Sequence, residues 1–115
     1  MNLNKLLPLS ETTYYILLSL LSPRHGYAIM QNVEELSEGK VKIAAGTLYG
    51  AIENLLKQNM IVPVGSVDSR RKVYALTPTG MEVLNMEYQR IVHLIRISEQ
   101  QFQLQEGMRH AEEQV

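Results

Sequence analysis

Met60-Ile61-Val62-Pro63-Val64 and Val73-Tyr74-Ala75-Leu76, separated by Gly65-Ser66-Val67-Asp68-Ser69-Arg70-Arg71-Lys72, decide the fold. The first run reads as a short β-strand, and Pro63 places it at a sheet edge because proline cannot donate to a ladder. The second reads as its antiparallel partner, with Tyr74 and Leu76 on one face. The polar stretch between them ends in three consecutive positive charges, so the pair predicts a hairpin with a basic tip.

Upstream, Leu48, Ile52 and Leu55 fall on one stripe of a helix expected over about residues 45–58. Thr47, Gly50, Glu53, Asn54 and Lys57 point away from that stripe. Residues 40–46 form a connection, with a short extended piece expected near Val41–Ile43. A second helix runs from Gly26 through Ile29, Met30, Val33 and Leu36 to a stop at Ser37-Glu38-Gly39. The first helix follows Pro8, takes Ser10 as its cap and places Tyr14, Leu17, Leu18 and Leu21 on one face, until Ser22-Pro23-Arg24 breaks it.

Downstream, Thr77-Pro78 is a cap followed by proline at the first helical position. The helical period then persists for roughly thirty residues. Met81, Leu84, Tyr88, Ile91 and Ile95 are spaced 3, 4, 3, 4, and the series continues through Ser98 to Phe102. That is a heptad-like seam. Leu94, Ile97, Leu104 and Met108 form a second stripe, and fraying is expected from Arg109 to Val115.

Three helices followed by a hairpin is the order of a winged helix-turn-helix. The expected fold class is mainly α with a small β-hairpin (α+β). Residues 1–77 form the winged head and 78–115 a long C-terminal dimerisation helix. A helix of this length cannot bury both stripes against so small a domain, which argues for a homodimer; the alternative is one stripe folded back on the first helix, and the two fit together with one stripe for each task.

Charge is distributed to suit this layout. The net charge of −1 resolves into −2 over residues 1–39, +4 over 40–72 and −3 over 73–115. The basic block thus spans the third helix and the wing, a field that faces a polyanion. The absence of cysteine excludes disulfides, thiolate metal sites and cysteine nucleophiles, and suits a cytoplasmic protein. No stretch of about 20 apolar residues is present to cross a membrane. His25, His93 and His110 share no metal-ligand spacing, and there is no phosphate loop or nucleophile elbow. No cofactor, no metal and no enzymatic activity are expected.

A helix fits the major groove of double-stranded DNA, and a basic hairpin tip reaches the adjacent phosphates. The residues assigned to DNA from this layout are Lys40, Lys42, Thr47, Asn54, Arg70, Arg71 and Lys72. Those assigned to the dimer seam are Leu84, Tyr88, Ile91, Ile95 and Phe102. Tyr27 and Tyr49 fit a packing role, as half-buried rings that hold two helices together. Two other functions fit the same topology: a winged helix that binds protein, and a ligand sensor.

Four motifs, in order, resemble those of the PadR family of bacterial transcriptional regulators. They are Tyr14–Leu21 followed by His25-Gly26-Tyr27-Ala28-Ile29; Gly46-Thr47-Leu48-Tyr49; Arg70-Arg71-Lys72-Val73-Tyr74-Ala75-Leu76-Thr77; and Gly80. The resemblance covers about residues 8–84 and is closest to the compact subgroup with a single C-terminal helix. It implies a cytoplasmic repressor of operator DNA, dimeric through that helix and often released by a small, flat aromatic molecule. It also implies that Tyr27, Thr47, Tyr49 and the Arg70–Lys72 run face the DNA. The sequence departs from the family at Gly50, where proline is common, at Glu53-Asn54, where a basic pair is usual, and at Leu56, where the usual residue is acidic. These departures shift the expected affinity toward the wing and Lys40–Lys42.

Overall fold

The computed structural model describes residues 2–66, 68 and 70–113. Of the expected wing tip, Val67 and Ser69 lie outside the described residues, as do Gln114 and Val115 of the expected frayed end. A short 3₁₀ turn (Leu3–Leu6) precedes α1 (Glu11–Ser19), β1 (Arg24–His25), α2 (Gly26–Leu36), α3 (Ala45–Lys57), β2 (Ile61–Ser66), β3 (Lys72–Leu76) and α4 (Pro78–Glu113). This is the winged helix-turn-helix with a long C-terminal helix, as the sequence predicts.

The boundaries follow from local chemistry. Ser10 caps α1 by accepting from the Thr13 N–H at 3.1 Å. Glu38 takes a left-handed backbone (φ 55°) after α2, which lets the Gly39 N–H reach the Glu34 carbonyl at 2.8 Å. Asn59 (φ 59°) does the same after α3 and returns the Met60 N–H to Leu55. Thr77 caps α4 through the Gly80 N–H at 3.0 Å.

The core is where these helices meet the sheet. Ile16, Leu17 and Leu20 of α1, Ile29 and Val33 of α2, and Leu48, Ile52 and Leu55 of α3 are buried with Ile61, Tyr74 and Val83. The sequence stripe for α1 is displaced by one position: Leu21 is exposed, and Ile16 and Leu20 are buried in its place. In so leucine-rich a helix neighbouring faces are equally apolar, and tertiary packing selects among them. Leu36, expected on the buried face of α2, is also exposed.

The sheet holds three strands in the order β1-β3-β2, all antiparallel. Residues 41–43, expected to be extended, join no strand. The unforeseen strand is β1, which pairs Arg24 with Tyr74 and His25 with Val73. Pro63 lies on β2, an outer strand, beside a register irregularity between Pro63 and Gly65.

Helix α4 is continuous to Glu113, so among the described residues it does not fray at Arg109. Its 36 residues give the protein its length, with extents of 73 × 34 × 21 Å. Gly80, Val83, Leu84 and Glu87 are buried, all within its first three turns. This corrects one assignment. Leu84, expected to line a seam between copies, is 5% exposed and belongs to the core of its own head. The 3-4 spacing marks an apolar face whatever covers it, so the pattern does not tell Leu84, inside the head, from the residues beyond it.

Candidate nucleic-acid interface

The α3 helix begins without a side-chain cap, because Ala44 has none to offer. Thr47 is exposed in its first turn and Tyr49 at 55%. Gly46 and Gly50 stand on the same outward side, where an added Cβ at either would meet no atom within 4 Å. Their surroundings impose no need for glycine, and each costs helix stability of roughly 0.5–1 kcal/mol relative to alanine.

Beside this face is a cleft of about 130 Å³ into which His25, Tyr27, Tyr49, Arg70, Arg71 and Lys72 converge, with Gly26 and Tyr74 at its back. Two features assemble it. The β1–β3 pairing fastens the start of α2 to the inner strand of the wing. The Tyr49 ring then lies over Gly26, where a Cβ would come within 2.9 Å of its hydroxyl oxygen. Tyr49 therefore both packs α3 on α2 and keeps more than half of its surface open, while Tyr27 stays 58% exposed. The packing role expected of these tyrosines is seen at Tyr49.

The cations of the cleft differ in how they are held. Asp68 accepts from the backbone N–H groups of Arg70 (2.8 Å) and Arg71 (3.0 Å), and its other oxygen lies 3.4 Å from the Arg71 guanidinium nitrogen. The Arg70 N–H, aided by the Arg71 N–H and guanidinium, holds the Asp68 carboxyl below the usual carboxylate range. Arg70 and Lys72 have no ion-pair partner among the described residues. His25 accepts the Ala28 N–H at its Nδ1 (3.3 Å) and so caps α2. Arg24 is spent on structure, since its Nε donates to the Ser19 carbonyl at 2.7 Å.

Four residues assigned to DNA lie outside this cleft, Thr47 of α3 among them. Lys40 and Lys42 are exposed in the α2–α3 connection, and the Lys42 ammonium is 3.7 Å from a Glu34 carboxylate oxygen. Asn54 lies on the other flank of α3, in a groove against the N-terminal segment. The sequence reading gave His25 no place beside the wing and did not foresee the strand it belongs to. A two-residue strand is too short to show periodicity, and only its pairing with β3 reveals it. Among the described residues no group of three or more His, Asp or Glu could hold a metal, and no helix is long and apolar enough to cross a membrane.

No curated protein sequence matches the chain. Among solved structures, it resembles a transcriptional regulator from Clostridium thermocellum (TM-score 0.68, 23% identity, covering 77% of this chain and 87% of that one). It resembles a PadR family transcription regulator from Clostridium difficile similarly (0.67, 24%, 79% and 97%). RosR of H. salinarum is comparable (0.66, 24%, 76% and 78%). At these identities the likeness speaks for the fold. The sequence itself matches the transcriptional regulator PadR-like family over residues 10–86, from the cap of α1 to the buried turns of α4. Head, wing and the start of the long helix are thus all included, and the chain belongs to the PadR-like family of DNA-binding transcriptional regulators.

Proposed function

We propose that this protein is a bacterial, cytoplasmic repressor that binds two-fold operator DNA as a homodimer. The observation that carries this reading is the convergence of Tyr27 and Tyr49 with Arg70, Arg71 and Lys72 beside the outward face of α3. In this reading α3 enters the major groove and Thr47 and Tyr49 meet base edges, with Asn54 on its flank. The wing and Lys40–Lys42 take the phosphates, which position the protein without specifying sequence. Tyr88, Ile91, Ile95 and Phe102 pair two copies and set the spacing of the two recognition helices.

A small aromatic effector fits best along α4, where Tyr88 and Phe102 are exposed. Binding there changes the crossing of the paired helices and so the separation of the heads. Retrieval of bound genomic DNA tests the whole reading: a shared motif with two half-sites is the expected result, and random fragments overturn it.

Alanine at Arg70, Arg71 and Lys72 together is expected to weaken binding to every DNA sequence about equally. The slope of log K against log salt should become shallower by roughly 0.9 for each phosphate the wing no longer neutralises. An unchanged slope removes the wing from the interface. A winged helix that binds protein instead would show no such slope in the wild type.

Gly50→Ala separates folding from binding. Its new methyl enters open space on a helix face, so unfolding should require roughly 0.5–1 kcal/mol more. The same methyl stands between α3 and the groove, so operator affinity should fall. A variant that is more stable and binds equally well excludes this face from the DNA.

A further inference from the structure

Residues 2–9 precede the stretch shared with the family, yet they are folded onto the head. Leu3, Leu6, Leu7 and Leu9 pack against the core. The Leu7 N–H donates to the Asn4 carbonyl at 3.1 Å, closing the 3₁₀ turn. At the far end of the segment the Leu9 N–H donates to Glu87 of α4, a buried carboxylate that also receives the Arg90 Nε–H. The segment is thus folded by its own 3₁₀ turn and fastened to α4 at Leu9, and its one cation, Lys5, is exposed with no ion-pair partner among the described residues.

Between this segment, the start of α1 and the C-terminal half of α3 is a cleft of about 250 Å³. Lys5, Asn54 and Gln58 line it, and neither amide side chain makes a hydrogen bond among the described residues. Ser10 and Thr13 also line it, but their hydroxyls are engaged with each other at 2.9 Å. What the cleft offers is one ammonium and two amide groups, a donor set that suits a phosphate. The carboxylates nearest along the chain, Glu11 and Glu53, are exposed next to it on α1 and α3 but do not line it.

We propose that this cleft holds a backbone phosphate of the bound DNA, with Lys5 as its cation and Asn54 and Gln58 as its hydrogen-bond donors, on the flank of α3 opposite the wing. The inference rests on the reading that α3 enters the major groove. At 3.6 residues per turn Tyr49 and Asn54 are about 140° apart around the helix, with the outward stripe of Gly46, Gly50 and Lys57 between them. Two phosphate-binding clefts on the two flanks of the recognition helix therefore match the two lips of one groove, one served by the wing and the other by Lys5.

The test uses the full chain and a mixed-sequence duplex, titrated over a range of salt. Lys5→Ala is expected to make the salt slope shallower by about 0.9, as for one phosphate released. It should weaken binding by roughly three- to tenfold near 0.1 M salt, to the same degree on any sequence. Lys5→Arg should keep the wild-type slope, and the thermal midpoint should stay unchanged because the Lys5 ammonium is exposed and unpaired. An unaltered slope for Lys5→Ala beside a reduced slope for the wing variant overturns the cleft alone. A loss confined to one sequence, or one that arginine does not restore, overturns it as well. A wild-type chain with no salt-dependent binding overturns the placement of α3 in DNA, and the cleft with it, so the two failures are told apart by the unmutated control.

Discussion

Gly80→Ala is expected to unfold the winged head. The added Cβ would stand 1.9 Å from the carbonyl oxygen of Met60 and 2.9 Å from its carbonyl carbon. Both are backbone atoms, so no side-chain rotation relieves the clash. The same carbonyl accepts the Thr77 N–H at 3.0 Å, and the Thr77 hydroxyl donates to Asn59 at 2.6 Å while accepting the Gly80 N–H. Moving α4 away would thus break its cap and the junction between α3 and β2 together. It would also draw Val83 and Leu84 out of the core. The cost should exceed about 4 kcal/mol, a magnitude reserved for named steric or core defects. Chemical denaturation measures it, with Gly107→Ala as the control, since a Cβ there meets nothing within 4 Å. A Gly80→Ala protein within about 1 kcal/mol of wild type would refute the close approach of α4 to Met60.

If the protein pairs as proposed, charging the outer half of α4 should abolish the paired state. Beyond Glu87 the described part of this helix buries no residue, and it leaves Tyr88, Val92, Leu94, Ile95, Ile97, Phe102, Leu104 and Met108 exposed. In the homodimer proposed above, the stripe of Tyr88, Val92, Ile95 and Phe102 is the face the two copies share. Ile95→Glu combined with Phe102→Glu removes two large apolar side chains per copy and places like charges in the seam. Each buried side chain of this size contributes about 1.5–3 kcal/mol, so the dimer should dissociate by orders of magnitude more readily. Operator affinity should fall far more than affinity for random DNA, because only paired heads gain from a two-fold site.

Substitution is the better instrument than truncation after Gln89. Cutting there removes Arg90, the partner of buried Glu87, and an unpaired buried charge destabilises the head by itself. That carboxylate also acts on Tyr14, whose phenol is raised above its usual range by burial first and by Glu87 and Tyr88 next. Sedimentation at micromolar concentration reads the outcome. A wild-type chain that is monomeric there removes both the dimer and any effector scheme built on its helix crossing.

Much of this architecture is written in local pattern. Ser10, Thr77-Pro78 and the left-handed turn after α2 mark helix ends because capping is chemistry within a few residues. Leu48, Ile52 and Leu55 mark the inner face of α3 because one helix has one period. The basic run at Arg70–Lys72 and the hairpin that presents it are equally local. Each of these could be read before any packing was known.

Other features depended on which surfaces meet. Leu84 and Tyr88 continue one heptad, yet the first is sealed in the head and the second is open, because the head ends between them. Leu21 is as apolar as Leu20, and only the position of α2 and α4 decides which is buried. The β1 strand exists because β3 lies beside it, and it brings His25 and Tyr27 to the wing. Asn54 shares a helix with Tyr49, but the folded N-terminal segment gives it Lys5 as a neighbour across a cleft. A single chain's periodicity records that a face is apolar or polar. What covers that face is set by elements far away in sequence, and so it appears only once they have packed.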